Sequence, residues 1–156
     1  MLMTSDLREL LNFFKKYNVR YLVVGGYAVM KYSEPRYTKD LDLWIATDSE
    51  NANSVYAALK EFGAPLENLT ATNFAQKEYF YQMGKAPLRV DIMMSIPGVE
   101  FENAWKNRKV VELNGINVPF ISRTDLILAK KASGRPQDKI DVEKLKEAEL
   151  LDSPDK

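Results

Sequence analysis

The sequence predicts an α+β fold, a mixed β-sheet flanked by helices. Two observations carry that reading. Short β-branched or aromatic runs, bounded by Gly, Pro or Asn-Gly, interrupt segments with helical spacing, in the order helix, strand, helix, strand, helix, several strands, then two helices. The composition, 46% apolar and 28% charged over 156 residues, is that of one globular domain with one substantial core. Residues 1–150 read as that domain and 151–156 as a frayed tail.

In "SDLRELLNFFKKYN", Leu7, Leu10, Leu11, Phe13 and Phe14 share a helix face, with Thr4 or Ser5 as N-cap and Asn18 at the end. Arg20 to Val24 reads as a buried strand stopped by Gly25-Gly26, and "YAVMKYS" as a short helix closed by Pro35. "DLDLWIA" alternates, with Leu41, Leu43 and Ile45 opposite Asp40, Asp42 and Trp44. A helix follows from Ser49, capped by Asp48 and ended by Gly63. Residues 64–73 read as loop or a further short helix. "KEYFYQMG" and "LRVDIMMS" are strands, the second with Val90, Ile92 and Met94 opposite Arg89, Asp91 and Met93. Pro97-Gly98 marks a turn, "VEFENAWKNR" a short helix, and Asn114-Gly115 the turn of a hairpin. "SRTDLILAKKASG" begins at a Ser/Thr cap, with Ile127 and Leu128 setting its buried face, and ends at Gly134. The last helix starts at Pro136 and places Ile140, Val142, Leu145 and Leu150 on its apolar positions.

The absence of Cys excludes disulfides, thiolate catalysis and Cys-ligated zinc, and the absence of His removes the usual general base and a common metal ligand. Chemistry is left to carboxylates, amines, hydroxyls and a hard cation such as Mg²⁺. The 22 basic and 22 acidic residues cancel, so no global field argues for nucleic acid or an anionic membrane. "MLMTSDLREL" does not read as a signal peptide, and no apolar run nears the ~20 residues of a membrane span. The expectation is a cytoplasmic protein without a membrane partner.

Asp40 and Asp42 stand at i and i+2 of one strand, on one face, with Cα atoms roughly 6.5–7 Å apart. If Asp91 faces the same way from a neighbouring strand, three carboxylates meet, and their repulsion calls for a cation. The bland alternative for each is a strand-start cap or a solvated face, on an edge strand in the case of Asp91. Gly25-Gly26, between a strand and a helix, is either a tight turn or a place where bare N–H groups and the helix dipole hold phosphate. The pair lacks the spacing of a P-loop or a dinucleotide fingerprint.

Taken together, Gly25-Gly26 after a strand, "RYTKDLDL", Asp91 between apolar residues and the closing "ISRTDLILAKKASGRPQDKIDVEKL" resemble the nucleotidyltransferase superfamily related to DNA polymerase β. Within it they look like the small bacterial stand-alone members, which include abortive-infection-type toxins and are related to lincosamide and aminoglycoside adenylyltransferases. The resemblance covers about Val19 to Leu145 and implies an αβαβ core with two C-terminal helices.

It further implies an enzyme in which an acceptor hydroxyl attacks the α-phosphate of a nucleoside triphosphate, commonly ATP, taking NMP and releasing pyrophosphate. Asp40 and Asp42 would hold Mg²⁺, and Asp91 would join them at a second ion and act as general base. Gly25 and Gly26 would cradle the β- and γ-phosphates. Arg36, and Lys130 or Lys131, are the cations available to the triphosphate, with Arg36 equally readable as a surface partner of Glu34. Thr38 holds its loop or touches phosphate; Arg135 and Asp138 fix the turn between the last helices; Tyr27 and Trp44 stack on a base or belong to the core. The acceptor is a small molecule, a protein or a tRNA. A toxin–antitoxin component that modifies or binds such a partner, and a nucleotide-binding domain without catalysis, are the alternatives. Because the chain ends soon after the core, a homodimer would be needed to complete an acceptor wall of the antibiotic-modifying kind.

Overall fold

The structure, a computed structural model, describes residues 4–35, 40–85 and 88–151. Helix α1 (Ser5–Lys16) leads through strand β1 (Tyr21–Val24) directly into helix α2 (Gly25–Tyr32). Strand β2 (Asp40–Ile45), helix α3 (Ser49–Phe62) and a 3₁₀ turn (Ala71–Ala75) follow. Next come strands β3 (Phe80–Lys85) and β4 (Leu88–Met93), helix α4 (Phe101–Lys106), and strands β5 (Lys109–Leu113) and β6 (Ile116–Phe120). Helices α5 (Arg123–Ser133) and α6 (Pro136–Leu151) close the chain. The six strands form one sheet in the order β3-β4-β2-β1-β6-β5. The pairs β1–β6 and β2–β4 are parallel and the other three antiparallel, so the expected α+β fold with a mixed sheet is the observed one.

Local chemistry sets the boundaries. Thr4, not Ser5, is the α1 cap: its hydroxyl accepts the Leu7 N–H at 3.2 Å. Asp48 caps α3 and Gly63 ends it in the left-handed conformation. Asn114 and Gly115, with φ of 51° and 84°, give the two positive angles that a two-residue hairpin turn between β5 and β6 requires. The segment 64–73 is mostly loop, running into the 3₁₀ turn whose Phe74 is fully buried.

Every residue of β1 is buried. Helices α1 and α3 pack together as one group, and α2, α5 and α6 as another. A single side chain ties the far end of β2 to α3: Asn51 accepts from the Arg20 N–H at 2.8 Å and donates to the carbonyls of Arg20 and Ala46 at 3.1 and 2.8 Å. Among the described residues no helix is long and apolar enough to cross a membrane.

Two expected helix faces are corrected. On α5 the buried positions are Asp125, Leu126, Ala129 and Lys130, while Leu128 is exposed and Ile127 only half-buried. On α6, Val142 and Leu145 are buried as expected, but Ile140 and Leu150 are exposed and Asp138 and Asp141 take the inward places. The physical reason is an ion network between the two helices, which draws carboxylates inward where hydrophobic spacing alone would put aliphatic groups.

Replacing Asn51 by Ala takes a side-chain partner from the Arg20 N–H and the Ala46 carbonyl and leaves the Arg20 carbonyl with only the Ala46 N–H, at 3.4 Å. Urea unfolding of Asn51→Ala is expected to show a loss of about 2–4 kcal/mol.

Candidate functional site

The site grows from strand register. Val24, the last residue of β1, pairs with Asp42 across the antiparallel ladder, and Asp42 pairs with Asp91 across the parallel one. Partners in register on neighbouring strands project from the same face. Asp91 therefore stands beside Asp42, close enough for its charge to bear on that carboxyl. Strand β4 lies between β2 and β3, so the alternative that Asp91 is a solvated group on an edge strand is overturned; the residue is buried. Asp40, two positions before Asp42 on the same face, pairs in register with Arg89, whose Nε lies 3.9 Å from Asp40 Oδ1.

Gly25 is required here on two counts. Its φ of +69° is one that side chains rarely adopt, and a Cβ built on it would lie 2.1 Å from Asp42 Oδ2. Backbone is thus pressed against a carboxylate oxygen at the first turn of α2. The residue before that turn, Val24, supplies no side-chain cap, so the helix's leading N–H groups are left for another acceptor.

Burial and the neighbouring charges of Asp91 and Asp40 together push the Asp42 carboxyl up to about 7; the Lys130 ammonium opposes them more weakly. Asp91 is steadied from its other side by Gln82 on β3, whose Nε2 donates to Oδ1 at 2.8 Å. Asp40 Oδ1 is buried and accepts no hydrogen bond. Among the described residues no group of three acids encloses a single point as a ready-made metal cage. The donor set nevertheless fits a hard divalent cation: oxygen ligands only, one of them an unsatisfied buried oxygen, and one carboxyl whose ionised form lacks a compensating charge.

Helices α5 and α6 build the opposite wall. Lys130, not Lys131, points inward: Lys130 is buried and Lys131 exposed. Lys130 Nζ lies 3.3 Å from Asp138 Oδ1 and 3.1 Å from Asp141 Oδ2, and Gln137 Nε2 donates to Asp141 Oδ1 at 3.0 Å. Arg135 binds the same Asp138 through its own backbone N–H and its guanidinium, at 3.1 and 2.8 Å to Oδ2. Burial alone would raise the Asp138 carboxyl, but hydrogen bonds from Arg135 and Ser133 and the Lys130 charge hold it well below the usual carboxylate range. The expected turn role of Arg135 and Asp138 is thus present, and both residues also reach the cleft.

That cleft has a volume of about 470 Å³. Gly25, Gly26, Asp40 and Asp42 line one side, Lys130, Arg135 and Asp138 the other, and Met93, Ile96 and Pro97 its apolar floor. Asp91 is not among the lining groups; it lies behind Asp42. Trp44 belongs to the core, 2% exposed and edge-on to Phe101 at 5.1 Å between ring centroids. Tyr27 is half-buried, its hydroxyl raised by burial and by the Asp40 charge, which puts it within electrostatic reach of the carboxylates. Arg36 and Thr38 lie outside the described residues, and Glu34 pairs with Lys144 at 3.1 Å. Gln82 and Asp141 were not singled out from sequence. The signal for Asp141 is its place three residues after Asp138, on the face that meets α5.

A cleft that joins glycine backbone at a helix start to paired carboxylates on the next strands is the layout of a phosphate-handling transferase. The family comparison identifies the class: residues 1–154 match a family described as "Nucleotidyltransferase of unknown function (DUF6036)". The chain belongs to that nucleotidyltransferase family. No curated protein matches it by sequence. Among solved structures it is similar to a lincosamide antibiotic adenylyltransferase, LnuA, bound to lincomycin, with 18% identity, a TM-score of 0.59, and 94% of this chain and 98% of that chain covered. It is also similar to the antibiotic-resistance protein ANT(2")-Ia in complex with adenylyl-2"-tobramycin, at 15% identity and TM-score 0.56, covering 93% and 91% of the two chains. A third is an antigenic nucleotidyltransferase-like protein from Paracoccidioides brasiliensis, at 16% identity and TM-score 0.54, covering 97% and 79%. At these identities the likeness is one of fold.

Two outcomes test the electrostatics. Between the ordinary carboxylate value of 3.8 and about 7, native Asp42 keeps a proton that the unfolded chain has lost, so stability falls as pH rises through that window. Asp42→Asn removes the penalty: its Tm is expected to exceed the wild type's by roughly 10 °C at pH 8 and to match it near pH 4. Lys130→Met removes the ammonium that lies between two buried carboxylates, Asp138 and Asp141, and is expected to cost about 3 kcal/mol in urea unfolding. Lys131→Met, on the exposed side, stays within about 0.5 kcal/mol of wild type.

Proposed function

We propose that the protein is a Mg²⁺-dependent nucleotidyltransferase that moves NMP, AMP in the first instance, from a nucleoside triphosphate to an acceptor hydroxyl. The observation that carries this is the contact between Gly25 backbone and Asp42, with Asp91 in register behind it. It sets a phosphate cradle against a carboxylate pair with no side chain between them.

In this reading the N–H groups at the start of α2, at Gly25 and Gly26, receive the β- and γ-phosphate oxygens. Arg135, paired with Asp138 yet 73% exposed in its side chain, is the cation that borders the triphosphate at the cleft mouth, while Lys130 offsets charge from deeper in the wall. Asp40, Asp42 and Asp91 would hold two Mg²⁺ ions, which neutralise phosphate charge and acidify the attacking hydroxyl when bound. Asp91 takes the proton of the acceptor hydroxyl, and Gln82 fixes the orientation in which it does so. The acceptor oxygen forms its bond to the α-phosphorus as the α–β bridging bond breaks, and pyrophosphate leaves with the bridging electrons. The presence of all three acids favours an active enzyme over a nucleotide-binding domain without catalysis.

Purified protein is to be incubated with Mg²⁺, each α-labelled triphosphate and a cell extract, and the label followed. Transfer from ATP is expected, with Asp42→Asn and Asp91→Asn each lowering it by about 10²-fold or more. Mg²⁺ with ATP should also raise the wild-type Tm and leave that of Asp42→Asn unmoved. Label transfer that survives both substitutions rules out the proposed chemistry.

A further inference from the structure

At the opposite end of α2, α5 and α6 from the carboxylates lies a second, larger concavity of about 1210 Å³. It is bounded by the last turn of α2, the first turn of α5, the last turn of α6 and the connection from α4 to β5. Among the described residues five cationic side chains line it, Lys31, Lys106, Arg108, Lys109 and Arg123, with one acid, Glu149. The chain as a whole carries equal numbers of bases and acids, so this is a separation of charge within a neutral molecule.

Elsewhere several of the bases are matched. Lys16 pairs with Glu61, Arg20 with Asp48 and Glu102, Lys130 with two aspartates and Lys144 with Glu34. In the groove, Lys106, Arg108 and Lys109 are exposed, and no ion pair to a described acid holds any of them. Arg108 instead lies flat over Trp105, 4.0 Å from the ring centroid, with Nη1 on the Trp105 carbonyl at 2.8 Å. That contact fixes the guanidinium without consuming its charge. Thr124 adds a hydroxyl at the start of α5.

We propose that this groove binds the phosphodiester backbone of a nucleic acid, and that this nucleic acid carries the hydroxyl acceptor of the transfer. The second half rests on the nucleotidyltransferase reading; the first does not. Repeated negative charge along a flexible chain matches several lysines and arginines gathered around one channel, with a hydroxyl donor between them. A small-molecule acceptor has no use for so extended a basic surface. An acidic protein segment is the competing occupant, and the concave form of the site favours a strand laid within it over a protein face laid on it.

The test is fluorescence anisotropy of the full-length protein with a labelled 20-nucleotide single-stranded RNA, the DNA of the same sequence, and poly-glutamate, each titrated at several salt concentrations. Saturable binding to RNA or DNA is expected, with log affinity falling against log salt at a slope of roughly −2 to −3.5, the value for three to five phosphates contacted. Lys106→Glu with Lys109→Glu should weaken binding at least tenfold. Lys60→Glu with Lys139→Glu, an equal change of net charge at exposed positions outside the groove, should weaken it less than threefold. Far-UV melts show whether each double variant is folded; should the groove pair fail to fold, Lys106→Gln alone replaces it, with at least a threefold loss expected. Asp42→Asn should bind nucleic acid like the wild type, which separates failure of the groove from failure of the transferase reading. The RNA and DNA arms decide which polynucleotide is held. Absence of saturable binding, equal losses in the two double variants, or tighter binding of poly-glutamate overturns the proposal.

Discussion

Two carboxylates held side by side on neighbouring parallel strands set the terms for the rest of the molecule. Asp42 and Asp91 are in register across β2 and β4, so neither can leave the other without breaking the ladder at the centre of the sheet. Burial first, and then their mutual repulsion, make an internal load that raises the Asp42 carboxyl. The strands that carry this load are otherwise made of tightly buried apolar residues: Leu41, Leu43 and Ile45 on β2, Val90 and Ile92 on β4. A well-packed sheet can keep a polar arrangement that would not persist in a looser one.

The second helical group answers this load at a distance. Lys130 comes from α5 and its partners Asp138 and Asp141 from α6, so the network fixes the angle at which the two helices enclose the cleft. A lone buried lysine or a lone buried aspartate would each be strongly unfavourable there. Together they stabilise one arrangement of α5 against α6 and leave the Lys130 charge close enough to bear on Asp42. Arg135, tied to the rim by Asp138, extends that positive charge to the solvent edge.

Local signals made much of the fold legible in the sequence. Asp48 and Gly63 bound α3, Asn114-Gly115 turns the hairpin, and strict alternation in β2 assigns Asp40 and Asp42 to one face. The neighbours of those strands are not a local property. Whether Asp91 joined Asp42 depended on β4 pairing parallel to β2 and being covered by β3, and β4 read alone fits an edge strand equally well. The faces of α5 and α6 were misjudged for a related reason. Hydrophobic spacing assumes that inward positions are apolar, and here Lys130, Asp138 and Asp141 are inward because they satisfy one another. Choosing Lys130 over Lys131 required the helix's rotation, which neighbouring lysines cannot reveal.

On the proposed readings the two concavities would hold phosphate by different physics. In the carboxylate cleft the positive charges are already engaged: Lys130 is matched by Asp138 and Asp141, and Arg135 by Asp138, while Asp40 and Asp42 face the same space. A free triphosphate entering it meets more negative charge than positive, so on the proposed reading its counter-charge has to arrive with it as a divalent ion. The distal groove reverses this, since Lys106, Arg108 and Lys109 meet an incoming anion with charge that no described carboxylate has claimed. One end of the helical layer is therefore suited to a short, highly charged ligand delivered as a metal complex. The other suits a long, evenly charged ligand whose own counterions are released on binding. A neutral total charge is what such a division leaves behind, and it conceals both sites from any reading of composition alone.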